Sequence, residues 1–273
     1  MAADLPVFVG VDGSTHSIGA AMWAAGEADL LRAPELRLVV VSNDPLCDDE
    51  AWETVSAVVD RLVSSHPRLE ISPEVVHGHP ADVLVRRSNE AQLLVVGARG
   101  HSSLSAILIG SVSTKVAMHA HCPVVVVRDH RDSGPIVVGL DNSRHSRAAL
   151  AFAFDAAARH AAGLVAVHVW RDVGYAPSVP TLSLEMTEAR QEAQRVLIRQ
   201  IAGWTEQYPE VPVREVVQRG HPVAELAAAA VDARLLVVGH RGRGEFPGLL
   251  GSVAGGVIQH ASCPVAVVRG ECR

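Results

Sequence analysis

The sequence has very little lysine and few aromatic residues. Its 273 residues include one lysine, Lys115, and aromatic side chains make up 4% of the chain. A single lysine excludes any mechanism that needs several catalytic lysines. With 48% hydrophobic residues but so few rings, the core has to be built from valine, leucine, isoleucine and alanine. Such a core is typical of a parallel sheet buried on both faces under helices, so the composition favours an α/β fold.

An excess of positive charge is also missing. The formal net charge is −6 at pH 7. A chain of this charge offers no large basic surface that could collect nucleic-acid phosphates or an anionic membrane. We therefore expect neither nucleic acid nor a membrane as a partner.

Cysteines are few, and long apolar runs are absent. The four cysteines, Cys47, Cys122, Cys263 and Cys272, are too widely spaced to suggest a disulfide framework. The first residues lack the basic segment of a secretion signal, and no apolar run approaches the roughly 18 to 20 residues of a membrane span. Together these features predict a cytoplasmic protein.

The most informative feature that is present is an internal repeat. Five motifs occur twice in the same order. They are V-G-V-D-G-S at 9–14 and V-G-L-D-N-S at 138–143, G-H-P at 78–80 and 220–222, G-A-R-G at 97–100 and G-H-R-G at 239–242, G-S at 110–111 and 251–252, and C-P-V-V-V-V-R at 122–128 and C-P-V-A-V-V-R at 263–269. The chain is one domain duplicated, and we predict domains at 1–130 and 136–273.

The motif spacing shows where the two copies diverge. Asp12 and Asp141 are 129 residues apart. Gly97 and Gly239 are 142 residues apart, so the second copy holds 13 extra residues between these motifs. We place this insertion within residues 172–187.

Each copy alternates short β-branched runs with helical segments. In the first copy this pattern predicts strands at 7–11, 36–41, 71–76, 93–96 and 124–127, and helices at 17–32, 49–65, 80–89 and 111–120. The second copy follows the same plan from residue 136, with a longer helix at 185–208. Strand–helix alternation with right-handed crossovers predicts two tandem, doubly wound, five-stranded parallel-sheet domains. The valine-rich final runs at 124–127 and 265–268 are candidates for pairing between the copies.

Ligands of such sheets bind beyond the carboxyl ends of the strands, where the strand order reverses. Glycine lets backbone N–H groups approach a phosphate without interference from a Cβ atom. A helix that begins at Ser111 would add its positive N-terminus. The loop after the fourth strand therefore predicts a phosphate cradle made of Gly97, Gly100, Gly110, Ser111, Val112 and Ser113.

We expect Asp12 at the opposite end of the same ligand. A carboxylate beside phosphates would add like-charge repulsion, so its natural partners are a base amino group or a ribose hydroxyl. An alternative is that Asp12 and Asp141 cap the following helices together with Ser14 and Ser143. The alternative for the glycines is that they form ordinary strand-to-helix turns.

Taken together, these motifs resemble the universal stress protein family in its tandem, two-domain form. The resemblance covers nearly the whole chain, and the loop spacing is similar to the family's ATP-binding signature, G-x2-G-x9-G-[ST]. It implies an adenine nucleotide alpha-hydrolase-like fold that binds ATP, with or without Mg²⁺. By this likeness Asp12 contacts the adenosine end, the backbone of Val41 lies near the base, and the cradle residues hold ribose and phosphates.

The resemblance has further implications. It assigns a second site to Asp141, Val169, Gly239, Gly242, Gly251, Ser252 and Val253. It also implies a cytoplasmic stress-response protein that forms a homodimer, commonly through its last strand, and that acts with a signalling partner which the sequence does not name.

The second copy departs from the signature in two places. Its loop from Gly242 to Gly251 holds eight residues instead of nine, and Ala254 replaces the hydroxyl of Ser113. We therefore expect weaker ATP binding in the second copy. Pro247 offers an alternative, since it could pre-form a shorter return of the loop.

Other known motifs are absent or weak. The chain lacks the P-loop pattern G-x4-G-K-[ST], and no G-x-G-x-x-G follows the first strand of either copy, which disfavours Rossmann-type dinucleotide binding. His119, His121 and Cys122 lie close together, but the second copy keeps His260 and Cys263 without a further ligand cluster. Histidine at a helix C-terminus is therefore preferred over a metal site.

Three functions fit this pattern. The first is regulatory ATP binding, in which loops order around the nucleotide. The second is a slow ATPase or autophosphorylating enzyme, in which Ser102, Ser103 or Ser105 accepts phosphate. The third is a scaffold that has lost its ligand. The sequence places no general base, so any hydrolysis should be slow, and Lys115 is expected in solvent, outside the cradle.

Overall fold

A computed structural model of the protein describes residues 5–42, 48–100, 110–170, 182–242 and 250–270. Strands and helices alternate throughout these ranges. In chain order they are β1 (Val7–Val11), α1 (Thr15–Leu31), β2 (Leu36–Ser42), α2 (Asp48–Ser65), β3 (Ile71–His77), α3 (Pro80–Arg87), β4 (Leu93–Gly97), α4 (Ser111–His119), β5 (Val124–Val127), β6 (Ile136–Leu140), α5 (Arg144–Arg159), β7 (Leu164–Trp170), α6 (Leu182–Gln207), β8 (Val213–Arg219), α7 (Pro222–Ala229), β9 (Leu235–Gly239), α8 (Ser252–His260) and β10 (Val265–Val268).

The described strands form one continuous sheet. Their order is β3-β2-β1-β4-β5-β10-β9-β6-β7-β8. Strands within each half pair in parallel, whereas β5 and β10 pair antiparallel, with Val125 opposite Ala266. Each half therefore has the predicted doubly wound, five-stranded parallel topology, and the predicted pairing of the final strands is confirmed.

The element bounds differ from the predicted ones by a few residues, and the start of α1 shows why. Ser14 is its N-cap, and its Oγ accepts a hydrogen bond from the Ser17 backbone N–H at 3.3 Å, so the helix begins at Thr15. Most of the predicted insertion at 172–187 lies outside the described residues. Its last part belongs to α6, which has 26 residues where α2 has 18.

The core lies in two layers, one on each face of the sheet. Successive residues of a strand point to opposite faces, so Val7 and Val9 pack in one layer and Phe8 in the other. The first layer lies under α1, α2, α5 and α6, and the second under α3, α4, α7 and α8. Both layers contain residues from β5 and β10, so the core continues from one copy into the other.

Two arginines link the copies in a pseudo-symmetric way. Arg128 follows β5 and donates to the carbonyl of Gln259, in the last turn of α8, at 3.1 Å. Arg269 follows β10 and donates to the carbonyl of Met118, in the last turn of α4. A cation is favourable at the C-terminus of a helix, so each copy stabilises the end of the other copy's last helix. Within the described residues, no helix is long and apolar enough to cross a bilayer.

A buried ionic cluster also joins the two copies. Glu27 on α1 is 3% exposed and accepts hydrogen bonds from Arg159 at 3.0 Å and from His160 at 2.8 Å. The other ring nitrogen of His160 contacts Arg234. Burial alone would raise the pKa of Glu27, but the hydrogen bond from His160 and the charges around the carboxylate outweigh burial and hold its pKa below the usual range.

Replacing Glu27 by glutamine should therefore weaken the association of the two copies. The change leaves Arg159 without its counter-charge, which in a fully buried pair costs about 3–5 kcal/mol. Because the Arg159 side chain is 21% exposed, we expect a loss of about 2–3 kcal/mol in the free energy of unfolding at pH 7, measured by urea titration. Glu53→Gln, on the exposed face of α2, is the matched control and should change little.

The same carboxylate predicts a pH dependence. Its folded-state pKa is depressed, so its contribution is complete above the pKa of the unfolded chain and is lost as pH falls through the lower folded-state pKa. The stability difference between wild type and Glu27→Gln should shrink over that acidic window. A difference that stays constant down to full protonation would contradict the ion pair.

Candidate functional site

The first candidate site lies where β1 and β4 end side by side at the reversal of strand order. Gly97 closes β4 directly against the first turn of α1. A Cβ atom at this position would lie 2.8 Å from the backbone carbonyl carbon of His16. Gly239 has the same relation to His145, also at 2.8 Å. The first glycine of each loop is therefore required by packing of the helix against the strand.

Asp12 stabilises the turn between β1 and α1. Its Oδ1 accepts the Ser14 backbone N–H at 3.0 Å, while Ser14 itself caps α1. The Oδ2 atom lies against Gly100, so closely that a Cβ atom there would overlap it. Asp141 repeats the geometry with Ser143, at 3.0 Å, and with Gly242. In each copy the aspartate thus stabilises the turn before the helix, in agreement with the alternative in which it helps to cap that helix. Its Oδ2 atom faces the second glycine of the loop.

The N-terminus of α4 faces the same space. Gly110 occupies the N-cap position without a side-chain hydrogen bond, and its N–H donates to the Ala98 carbonyl at 2.9 Å. Ser111 is exposed, whereas Ser113 is buried and its hydroxyl donates to the Gly97 carbonyl at 2.6 Å. The single hydroxyl hydrogen of Ser113 therefore fixes α4 to the end of β4, a role that sequence reasoning missed.

The structure brings all the predicted residues of the first copy around one cavity of about 310 Å³. This volume is at the lower end of the range for small-molecule sites, about 300–1,000 Å³. The predicted lining residues are Asp12, Val41, Gly97, Gly100, Gly110, Ser111, Val112 and Ser113. Sequence reasoning did not find Gly10, Val39, Pro80, Leu84 and Arg99, which also line it. The G-H-P repeat was a usable signal for Pro80, because it places the start of α3 near this edge.

Arg99 supplies positive charge to this cavity. Its Nε atom is buried and has no hydrogen-bond partner among the described residues. Arg99 also affects the neighbouring His16. Burial lowers the pKa of His16, and the positive charge of Arg99 is the next cause that lowers it. The cavity therefore combines an arginine with the positive end of α4, an arrangement that attracts an anion.

The predicted residues of the second copy also share one cavity, of about 590 Å³. They are Asp141, Val169, Gly239, Gly242, Gly251, Ser252 and Val253. The cavity additionally contains His168, Trp170 and Arg241. His168 is hydrogen-bonded through Nδ1 to the Leu140 carbonyl at 2.7 Å, and Arg219 lies over the Trp170 ring at 6.0 Å. The two cavities therefore differ in size and in some of the side chains that line them.

At the start of α8, Gly251 is packed more tightly than Gly110 is at the start of α4. A Cβ atom at Gly251 would lie 3.1 Å from the carbonyl oxygen of His240, whereas at Gly110 the nearest atom would be 3.6 Å away. Ala254, in the position of Ser113, has no hydroxyl with which to hold the Gly239 carbonyl. The intervening loop segments, which contain Ser102, Ser103, Ser105 and Pro247, lie outside the described residues.

Two histidines beside the second cavity are neutral near pH 7. Burial lowers the pKa of His240 to about 4, with the charge of Arg269 as the next cause. Burial and then the charge of Arg144 also lower the pKa of His145. The two rings are 6.0 Å apart edge to face, and the Gly270 N–H donates to Nδ1 of His145 at 2.8 Å. These histidines act as neutral hydrogen-bonding groups.

The cysteines near the final strands have no features of a metal site. Cys122 and Cys263 are free and buried, and burial raises the pKa of their thiols to about 12 and about 11. Within the part of the chain that is described, no group of three or more histidine, cysteine or carboxylate side chains could hold a metal ion. The two thiols therefore belong to the core.

The chain is similar in sequence to members of a known protein family. The model of the Universal stress protein family matches the chain twice, over residues 6–128 and 133–269. The chain is 37% identical to universal stress protein Rv2005c of Mycobacterium tuberculosis, with 96% of each chain covered. It is also 37% identical to a universal stress protein of Mycolicibacterium smegmatis, with 98% of each covered.

A solved structure has the same fold over the full length. The crystal structure of a universal stress protein from Archaeoglobus fulgidus is similar with a TM-score of 0.72, at 20% identity and with 97% of this chain and 96% of that chain covered. Two family matches, and relatives that align over nearly their full length, account for both halves of the sequence. This chain therefore belongs to the universal stress protein family, in its tandem form.

Proposed function

We propose that this protein binds ATP in its two glycine-loop cavities and acts as a nucleotide-dependent regulator. Gly110 is the observation that carries the proposal. Its backbone, at φ −62° and ψ 146°, suits any residue. Among the described atoms a Cβ there would meet none closer than 3.6 Å. The described part of the fold does not require glycine at this position, whereas a phosphate resting on the first turn of α4 would.

In the first cavity the phosphates would lie on the N–H groups at the start of α4. Gly110, Ser111 and Val112 supply this surface, and a helix N-terminus favours a bound anion. Arg99 adds a guanidinium whose buried Nε lacks a partner among the described residues. An anionic ligand would satisfy that donor. Mg²⁺ would take its ligands mainly from the phosphates and stays a prediction.

The adenosine would lie at the other end of the cavity. Val39, Val41 and Leu84 would give this end an apolar lining, and Asp12, which also lines the cavity, lies beside Gly100. A carboxylate in that place suits a ribose hydroxyl better than a phosphate, because repulsion between like charges would oppose the latter. The backbone of Val41 at the end of β2 offers hydrogen bonds to the edge of a base.

Regulation fits this site better than rapid catalysis. Asp12 is the only carboxylate among the described residues that line the first cavity. Its Oδ1 atom accepts a hydrogen bond from the Ser14 backbone N–H. No described side chain is thus placed as a base beside the phosphate end, so hydrolysis should be slow. The stress that is sensed, the signalling partner and a cytoplasmic location stay predictions.

A homodimer also stays a prediction, but its surface is restricted. The family resemblance suggested association through the last strand. In this chain β5 and β10 pair with each other inside one sheet. A homodimer of the whole chain would have to use another surface, such as the outer strands β3 and β8.

We expect the second cavity to bind ATP more weakly. It has no counterpart of the Ser113 hydroxyl, Gly251 is packed more tightly than Gly110, and its volume is about 590 Å³ against about 310 Å³ for the first. A larger cavity contacts a given nucleotide less completely. The difference should be seen as two unequal affinities.

Gly110→Glu and Gly110→Gln form a matched pair that tests the cradle. Both add a side chain of similar size, and glutamate also adds a negative charge close to the phosphates. ATP affinity at the first site should fall in both variants, and in Gly110→Glu by about a further tenfold or more, because like charges at contact repel by about 1–4 kcal/mol. Neither change should cost more than about 1 kcal/mol of unfolding free energy.

Calorimetric titration of nucleotide-free protein gives the readout. Wild type that binds no ATP at all would contradict the proposal and favour the ligand-free scaffold. Equal affinities of Gly110→Glu and Gly110→Gln would show that phosphates do not lie beside residue 110. Following ADP release in the same samples tests the slow-ATPase alternative.

An exchange of residues between the copies tests the inequality of the two sites. Ser113→Ala should weaken ATP binding at the first site by about fivefold, because the Gly97 carbonyl and α4 lose a hydrogen bond that is worth roughly 1 kcal/mol. Ala254→Ser should tighten the second site. Two equal sites in the wild-type titration would contradict the expected order of affinities.

A further inference from the structure

The two outer edges of the sheet differ in their capacity to pair with another chain. The end strands are β3 and β8, and no described strand pairs with either of them on its outer side. An edge strand directs backbone N–H and C=O groups outward, and these groups can form a ladder with a strand of another molecule. Because β3 and β8 hold equivalent places in the two copies, a difference between them bears on how the whole chain associates.

A proline protects the outer side of β3. The Leu36 N–H donates to the Glu70 carbonyl at 2.8 Å, and the Gly78 N–H donates to the Ser42 carbonyl at 3.1 Å, so the even-numbered residues of this strand bond to β2. The odd-numbered residues face outward, since the two sides of a parallel strand alternate along the chain. Pro73 is one of them, and it has no N–H to donate.

The outer side of β8 has no such protection. The Gly220 N–H donates to the Trp170 carbonyl at 3.2 Å, so the even-numbered residues of this strand bond to β7. Val213, Glu215 and Val217 therefore direct their backbone groups outward, and each of them carries an N–H as well as a C=O. This edge can both donate and accept along its length.

The contrast is sharpest at one pair of equivalent positions. Pro73 is the third residue of β3, and Glu215 is the third residue of β8. Both side chains are exposed. The same place in the repeat therefore blocks pairing at one edge of the sheet and permits it at the other.

Helix α6 adds an apolar side chain beside the β8 edge. Its Gln194 donates to the Glu215 carboxylate at 2.5 Å, so this side of the helix lies over the outer strand. Ile198 follows one turn later on the same side of α6 and is 44% exposed. A molecule that paired with β8 would bring its own α6 towards this isoleucine, which adds apolar contact to the backbone ladder.

We propose that two molecules of this chain associate through antiparallel pairing of β8 with β8. The chain already joins its own two halves by antiparallel pairing of edge strands, at β5 and β10. A two-fold axis also makes one strand complementary to itself, because each hydrogen bond is repeated in the opposite direction. The inference rests on the homodimer expected above, whose surface it names, and it is independent of ATP binding.

The side chains of β8 select one register. Pairing centred on Arg214 or on Glu215 would place like charges directly opposite each other, which is destabilising. Pairing centred on Val216 avoids this and overlaps the strand over its whole length. It places Glu215 of one molecule opposite Val217 of the other, so that these two outward-facing residues exchange their N–H and C=O groups.

Glu215→Pro tests this edge by giving β8 the protection that β3 has at the equivalent position. It should raise the dissociation constant of the dimer by at least about tenfold, because symmetry removes two interchain hydrogen bonds at once. Glu215→Gln keeps the N–H and is the matched control, with an expected change below about twofold. Ile198→Asp leaves the strand intact and should weaken the dimer by about fivefold or more, since it brings a charge into an apolar contact.

Sedimentation equilibrium of the full chain measures these constants. A wild type that stays monomeric would overturn both the β8 interface and the homodimer. A dimer that neither Glu215→Pro nor Ile198→Asp weakens would overturn the β8 interface alone, and so would equal weakening by Glu215→Gln and Glu215→Pro. ATP titration at the first site should be the same in all these variants, which separates this test from that of the nucleotide cavities.

Hydrogen exchange gives a direct view of the paired strand. When the protein concentration is raised through the dissociation constant, the outward amides of Val213, Glu215 and Val217 should become protected. The outward amides of Ile71 and Val75 in β3 should exchange at an unchanged rate. Protection of β3 without protection of β8 would place the interface at the other edge and contradict the proposal.

Discussion

The antiparallel pairing of β5 with β10 is the interaction on which the rest of the structure depends. It joins two parallel half-sheets into one sheet and lets both core layers pass from one copy to the other. It also brings Arg128 and Arg269 to the opposite copy's last helix. Because α4 and α8 begin at the two candidate cavities and end at these arginines, the same pairing connects each candidate site to the domain boundary.

Packing requires two of the three glycines of the first loop, and each for a different physical reason. Gly97 makes room for the backbone of α1, and Gly100 makes room for the Asp12 carboxylate. Gly110 meets neither constraint among the described residues, because a Cβ atom there would have its nearest neighbour at 3.6 Å. A motif that forms one pattern in the sequence therefore combines two packing requirements with one position at which the described residues leave room for a side chain.

Much of the architecture could be predicted from the sequence, because the repeat, the β-branched runs and the glycine loops are local patterns. They placed Asp12, Gly97 and Gly110 at one edge of the sheet, where the structure has them around one cavity. The hydrogen bond of Ser113 to Gly97 was missed, since the spacing indicates a donor but not its acceptor. The Glu27 cluster was also missed, because its partners lie more than a hundred residues away in the other copy.

The covalent link between the copies has an evolutionary consequence. When two identical subunits form a symmetric pair, each mutation appears at both equivalent positions. Here each half can change alone, and the partner half is always present at a fixed high effective concentration, whatever the cellular amount of protein. Lys115, whose equivalent position in the second copy holds Gly256, is a difference that a homodimer could not carry. After the duplication, the two halves of the chain could therefore diverge in sequence while remaining joined in one sheet.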